Sequence, residues 1–126
     1  MSSSVGILYV GEDKVTPFIS LNQIPTVTKI STSTGAITLS SYKIYMANQL
    51  SSLSVTFPST LSTGFISEVN FTSSSTPTSF TSSTSVVWSG DSISNNNFVP
   101  QANYKYTIVF YCEDGNYKGA VSGIAL

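Results

Sequence analysis

The chain has 126 residues and a formal net charge of −1, with only 9% charged residues, five lysines, no arginine and no histidine. That length suits one domain with a real core, and the missing histidine excludes every nucleophilic mechanism that needs an imidazole base. The lack of a basic cluster argues against nucleic acid, and no polybasic or amphipathic stretch serves an anionic membrane.

From the start, "MSSSVGILYVGEDK" has no basic n-region and too short an apolar run for a signal peptide, and no segment reaches membrane-spanning length, so cytoplasmic synthesis is expected. Period-two alternation of apolar residues then recurs along the whole chain. It predicts strands near Val5–Val10, Phe18–Leu21, Thr26–Ser31, Ala36–Leu39, Tyr42–Met46, Ser52–Phe57, Phe65–Thr72, Ser85–Trp88, Tyr104–Cys112 and Tyr117–Ile124. A short helix over "SYKIYMANQLSSL" is the competing reading of one stretch, and strand plus loop is preferred there.

Turn signals fall between these runs, among them Ser33-Thr34-Gly35, Phe57-Pro58, Ser62-Thr63-Gly64, Ser75-Thr76-Pro77, Ser89-Gly90-Asp91, Asn95-Asn96-Asn97 and Asp114-Gly115. Their spacing predicts an all-β protein, an antiparallel β-sandwich, Ig-like or jelly-roll-like, of about 8–10 short strands. A mild shift near Gln49 suggests an N-terminal segment 1–50 and a C-terminal β module 51–126, although one interwoven domain over 1–126 is equally compatible.

The richest stretch, "FYCEDGNYKGAV", resolves into a hairpin. If Asp114-Gly115 forms the two-residue turn that Asp-Gly favours, Glu113 pairs with Asn116, Cys112 with Tyr117, Tyr111 with Lys118, Phe110 with Gly119, and so on to Tyr106 with Gly123. One face then carries Tyr106, Ile108, Phe110, Cys112, Tyr117 and Val121, and the bare glycines lie opposite large rings. The other face, with Val109, Tyr111, Lys118 and Ala120, is less charged than a free surface and is a candidate contact surface. Trp88 is a further candidate, for stacking on a sugar ring, against the plainer role of core packing beside Val86.

Little else in the chain suggests chemistry. The single Cys112 allows no internal disulfide, and its neighbours Glu113 and Asp114 disfavour a reactive thiolate. The carboxylates Glu12/Asp13, Glu68, Asp91 and Glu113/Asp114 sit mostly in turns, where a solvated or turn-stabilising acid is expected. "DSISNNNF" reads Asp91, Ile93, Asn95 at alternate positions, and the isoleucine breaks a calcium-loop pattern. Zinc, iron and copper lack ligands, and Asn70-Phe71-Thr72 is a strand that happens to match a glycosylation acceptor. Neither an enzyme, a cofactor nor a metal is expected.

From about Leu53 to Ile124 the order "LSVTFP", "GFISEVNFTSSSTPTSF", "VVWSGD" and "NNNFVPQANYKYTIVFYCEDGNYKGAVSGI" resembles a small β module of bacteriophage virion proteins, found in fibre, head-fibre and capsid-associated proteins. The chain departs from that pattern at Cys112, where relatives carry an aromatic, and in the first fifty residues. The resemblance implies a virion structural protein on the capsid surface, a decoration, auxiliary or head-fibre protein. Its partner would be the major capsid protein or another virion protein, and the chain would form a homo-oligomer, a trimer or dimer. A carbohydrate-binding adhesion module of a tail or receptor-binding protein, touching host surface glycans, is the alternative.

Overall fold

The computed structural model describes residues 24–126, so the strands expected at Val5–Val10 and Phe18–Leu21 and the acids Glu12/Asp13 lie outside the described residues. Within them the chain is all-β. Eleven strands occur: β1 (Thr26–Ile30), β2 (Thr34–Thr38), β3 (Lys43–Gln49), β4 (Ser52–Thr56), β5 (Ile66–Ser73), β6 (Ser79–Ser82), β7 (Val87–Gly90), β8 (Ile93–Ser94), β9 (Asn97–Phe98), β10 (Tyr104–Glu113) and β11 (Asn116–Ala125). The stretch "SYKIYMANQLSSL" is strand and not helix, divided between β3 and β4.

The six-stranded sheet has the order β1-β3-β5-β10-β11-β7, the three-stranded sheet the order β2-β4-β6, and β8 pairs with β9 alone. From β1 to β7, consecutive strands therefore alternate between layers. Among β1 to β6, neighbours within a layer are two strands apart in sequence and run parallel: β1 with β3, β3 with β5, β2 with β4 and β4 with β6. From β1 to β6 the chain is a coil of three turns, each placing one strand in each layer.

The all-β expectation stands and two sheets pack together, but the expected antiparallel pairing is corrected. Ig-like and jelly-roll sandwiches need antiparallel neighbours, whereas the six-stranded sheet is mixed, antiparallel where β10 meets β5 and β11, and the three-stranded sheet is wholly parallel; β8 and β9 form a separate antiparallel pair. Period-two alternation reports which face of a strand is buried, and it is the same whether the next turn folds back into the same sheet or arches across to the other layer. The Ser/Thr-rich β6, "SFTS", and the two-residue strands β8 and β9 take the strand number past the range expected from the sequence.

The arches are held by stacked backbone bonds. Ser51 N–H donates to Ser33 C=O at 2.7 Å, and Ser79 N–H donates to Ser51 C=O at 3.0 Å. Where the arch from β5 to β6 is buried, its polar groups are paired: Ser73 Oγ accepts from Thr78 N–H at 2.9 Å and Thr78 Oγ1 donates to Leu50 C=O at 2.6 Å. Serine and threonine serve here because their hydroxyls bond locally to backbone at turns.

Both layers face one core. Ile37, Leu53 and Val55 come from the small sheet, and Tyr45, Val69, Phe71, Tyr106, Ile108, Phe110 and Val121 from the large one. Residues on either side of Gln49 share that cluster, and β2 and β3 pair directly with β4 and β5.

The hairpin β10–β11 is inserted between β5 and β7 with the predicted register, Glu113↔Asn116 through Tyr106↔Gly123. Asp114 and Gly115 have φ of 55° and 74°, as a type I′ turn requires. The Tyr106 ring covers Gly123 as expected, but the ring over Gly119 is that of Trp88, which reaches in from the neighbouring strand β7.

Tyr106 is fully buried and stacks on Phe71, with centroids 5.4 Å apart. Its hydroxyl accepts from Gln101 N–H at 2.9 Å and shares a 2.6 Å hydrogen bond with Ser92 Oγ. Tyr106→Phe leaves both partners without this oxygen and is expected to lower unfolding stability by about 2 kcal/mol. A urea unfolding midpoint equal to that of the unchanged chain would contradict this.

Candidate contact surface

The outward face of the six-stranded sheet follows from the registers. One row across it runs Ile66, Tyr111, Lys118, Val87; the next runs Val27, Ile44, Glu68, Val109, Ala120, Ser89; a third runs Lys29, Met46, Asn70, Thr107, Ser122. Four of the five residues nominated from sequence, Val109, Tyr111, Lys118 and Ala120, thus lie together near the middle of this face. Trp88 is set apart from them: it points inward from the edge strand β7, against Phe80, Phe98 and Phe110.

The sequence left unnoticed that β1, β3, β5 and β7 bring Val27, Ile44, Met46, Ile66 and Val87 into the same face. Val27, Met46 and Val87 are 59%, 42% and 46% exposed, so a broad band of apolar surface meets solvent. Pro25, Tyr42, Ile44, Ile66 and Val109, with Lys43, Ser67 and Glu68, line a shallow depression of about 270 Å³ within it. The signal for this band is present in the alternation of "KIYMANQ" and "ISEVNFTS", but only the strand order β3-β5-β10 makes it continuous.

Tyr42 borders the depression with φ of 60°, a left-handed conformation that is sterically unfavourable for a bulky residue. Two hydrogen bonds hold it there: its N–H donates to Ile66 C=O at 2.7 Å and its C=O accepts from Thr26 N–H at 3.1 Å. The polar strip beside the band is also fixed. Thr107 Oγ1 donates to Asn70 Oδ1 at 2.6 Å, and Asn70 Nδ2 donates to Glu68 Oε2 at 2.9 Å.

The remaining acids among the described residues have structural partners. Asp91 Oδ2 accepts from Gly123 N–H at 2.8 Å, and Glu113 and Asp114 lie 2.9 and 3.9 Å from Lys118 Nζ at the hairpin end. The Glu113 hydrogen bond, and then the two nearby carboxylates, raise the Lys118 pKa, so this cation stays charged on the outer face. Tyr117 is raised by burial first and by Cys112 second, and its hydroxyl donates to Pro58 C=O at 2.9 Å. Cys112 is buried. Among the described residues no three of His, Cys, Asp and Glu converge to hold a metal, and no helix is long and apolar enough to cross a membrane.

Comparison with family models, with curated proteins and with solved structures returns no match for this chain.

Proposed function

We propose that this chain is a virion structural protein that binds without turnover, seated on the major capsid protein or another virion protein through the outward face of its six-stranded sheet. The observation that carries the reading is the half-exposed apolar band from Val27 through Ile44, Ile66 and Val109 to Val87, flanked by the fixed Glu68–Asn70–Thr107 strip. A band of this kind loses water-exposed apolar area when covered, and the polar strip gives it register. The resemblance of residues 53–124 to a phage β module supplies the virion setting, and a homo-oligomer at the capsid surface follows from the same reading.

Pairing Ile66→Lys with Val109→Lys places two cations in the centre of the band. Both side chains are only partly exposed, but a lysine stem can lie on the sheet and lift its ammonium to water, so the stability change should stay at about 1 kcal/mol. Co-sedimentation of the purified chain with virions should weaken by roughly 30-fold or more, as for central interface residues. Unchanged binding would sink the docking face, and gold label found only on tails would sink the capsid location.

A further inference from the structure

On the side away from β1 and β2, the two layers end at the edge strands β7 and β6. Phe80 from β6 and Trp88 from β7 meet there with ring centroids 5.3 Å apart and planes at 81°. Both rest on Phe98, each at 5.3 Å. Phe98 is buried, whereas Phe80 and Trp88 are partly open to solvent. With Thr81, Ser82 and Asn97 these rings line an open depression of about 400 Å³, within the range of small-ligand sites.

The site is preformed. Asn95 and Asn96 have φ of 50° and 56° and close the tight turn between β8 and β9. Asn96 Oδ1 accepts from Trp88 N–H at 3.3 Å, which ties the edge of β7 to that turn. Phe98 is fixed from behind by Phe71 and Tyr106.

Its polar groups are neutral and only partly engaged: Ser82 Oγ donates to Thr84 C=O at 2.9 Å and Asn97 Nδ2 donates to Asn95 C=O at 3.1 Å, while the Trp88 indole N–H is spare. A Cβ on Gly119 would lie 2.6 Å from Cζ3 and 2.8 Å from Cε3 of Trp88, so the benzo edge of the indole is the part laid on β11. The pyrrole edge, with Nε1–H, is directed away from that strand, and among the described residues this N–H has no acceptor. Ser79 and Ser83 send their N–H groups to β4, so strand alternation aims the backbone groups of Phe80 and Ser82 at the open edge.

Aromatic rings beside uncharged donors and acceptors match a pyranose, whose C–H faces are apolar and whose rim is hydroxyl. No lining residue carries a charge, so an anionic ligand would find no counter-ion. An extended peptide adding to β6 would gain only the two outward residues of a four-residue strand. We propose that this depression binds a neutral hexose or N-acetylhexosamine unit of a glycan. The inference sharpens the glycan-adhesion alternative and does not rest on the outward face, because the depression opens at the β6–β7 edge.

The test uses the full chain on an array of neutral hexose and N-acetylhexosamine oligosaccharides, with the best binder titrated in solution. Trp88 is the only tryptophan, so its indole N–H gives one unambiguous NMR resonance. The expected result is saturable binding that shifts that resonance. Trp88→Phe, which keeps a ring but removes the N–H, should weaken binding about 10-fold by calorimetry. Phe80→Leu should also weaken it, and Val109→Lys should leave it unchanged, each variant retaining a dispersed folded spectrum. No binding across the array, binding that leaves the indole resonance unmoved, or the same shift produced by an alternating Thr-Val hexapeptide would each overturn the proposal.

Discussion

Gly90→Ala is expected to destabilise the protein by about 4 kcal/mol, the sum of backbone strain and a steric clash that neither strand can relieve. Gly90 has φ of 102°, and a Cβ built there would sit 2.1 Å from the Val121 carbonyl oxygen. That oxygen already accepts from Asp91 N–H at 3.0 Å, so it cannot retreat without breaking the bond that ends β7 on β11. Asp91 then turns its carboxylate onto Gly123 N–H, which makes "SGD" a corner built around one glycine. Thermal unfolding followed by circular dichroism should show a fall of roughly 15 °C. Gly115→Ala is the matched comparison. Gly115 also has positive φ, 74°, but nothing lies within 4 Å of its added Cβ, so only strain of about 1 kcal/mol applies. Equal effects at the two positions would contradict the steric argument.

The second large effect is expected at Phe110. Its ring is fully buried and touches Phe57 edge-on at 5.3 Å and Trp88 at 5.8 Å, so it joins the inserted hairpin to both ends of the core. On the neighbouring strands it faces Ser67 and Gly119, both small. Neither can expand into the space a truncated side chain would leave. Phe110→Ala should therefore lie well inside the range for buried phenylalanine, about 4 kcal/mol. Phe110→Leu should recover more than half of the loss, because it restores most of the volume. Chemical unfolding of the two variants checks this, and a Phe110→Ala cost below about 1 kcal/mol would show that the hairpin is not keyed into the coil as described.

The hairpin was legible in the sequence because its determinants are local. Asp-Gly sets the turn, and a slip by one residue would bury Glu113 and Lys105, so the register from Glu113↔Asn116 to Tyr106↔Gly123 follows. The strand order was not legible. A serine-rich turn such as Ser31–Ser33 reads the same whether it reverses the chain or arches it into the other layer, and only core packing between layers decides. The short β6 was hidden for a related reason: in "SFTS" only Phe80 faces the core, too little for alternation to register.

For the candidate contact surface the same division holds. Val109, Tyr111, Lys118 and Ala120 share a face by hairpin register alone, so sequence located them. Ile44 and Ile66 join them through parallel pairing of β3 with β5 and antiparallel pairing of β5 with β10, contacts between residues far apart in the chain. Trp88 was ambiguous in sequence because it does two things at once. Its benzo edge packs over Gly119 in the core, and the rest of the ring stays partly open beside Phe80.

The most direct test of the docking reading is a cryo-electron microscopy reconstruction of virions carrying the chain. It should show the two-layer domain on the capsid surface with Ile44, Ile66 and Val109 against the shell and the β6–β7 edge open to solvent. Density for the domain confined to the tail, or seated through the three-stranded sheet with the apolar band facing solvent, would contradict it.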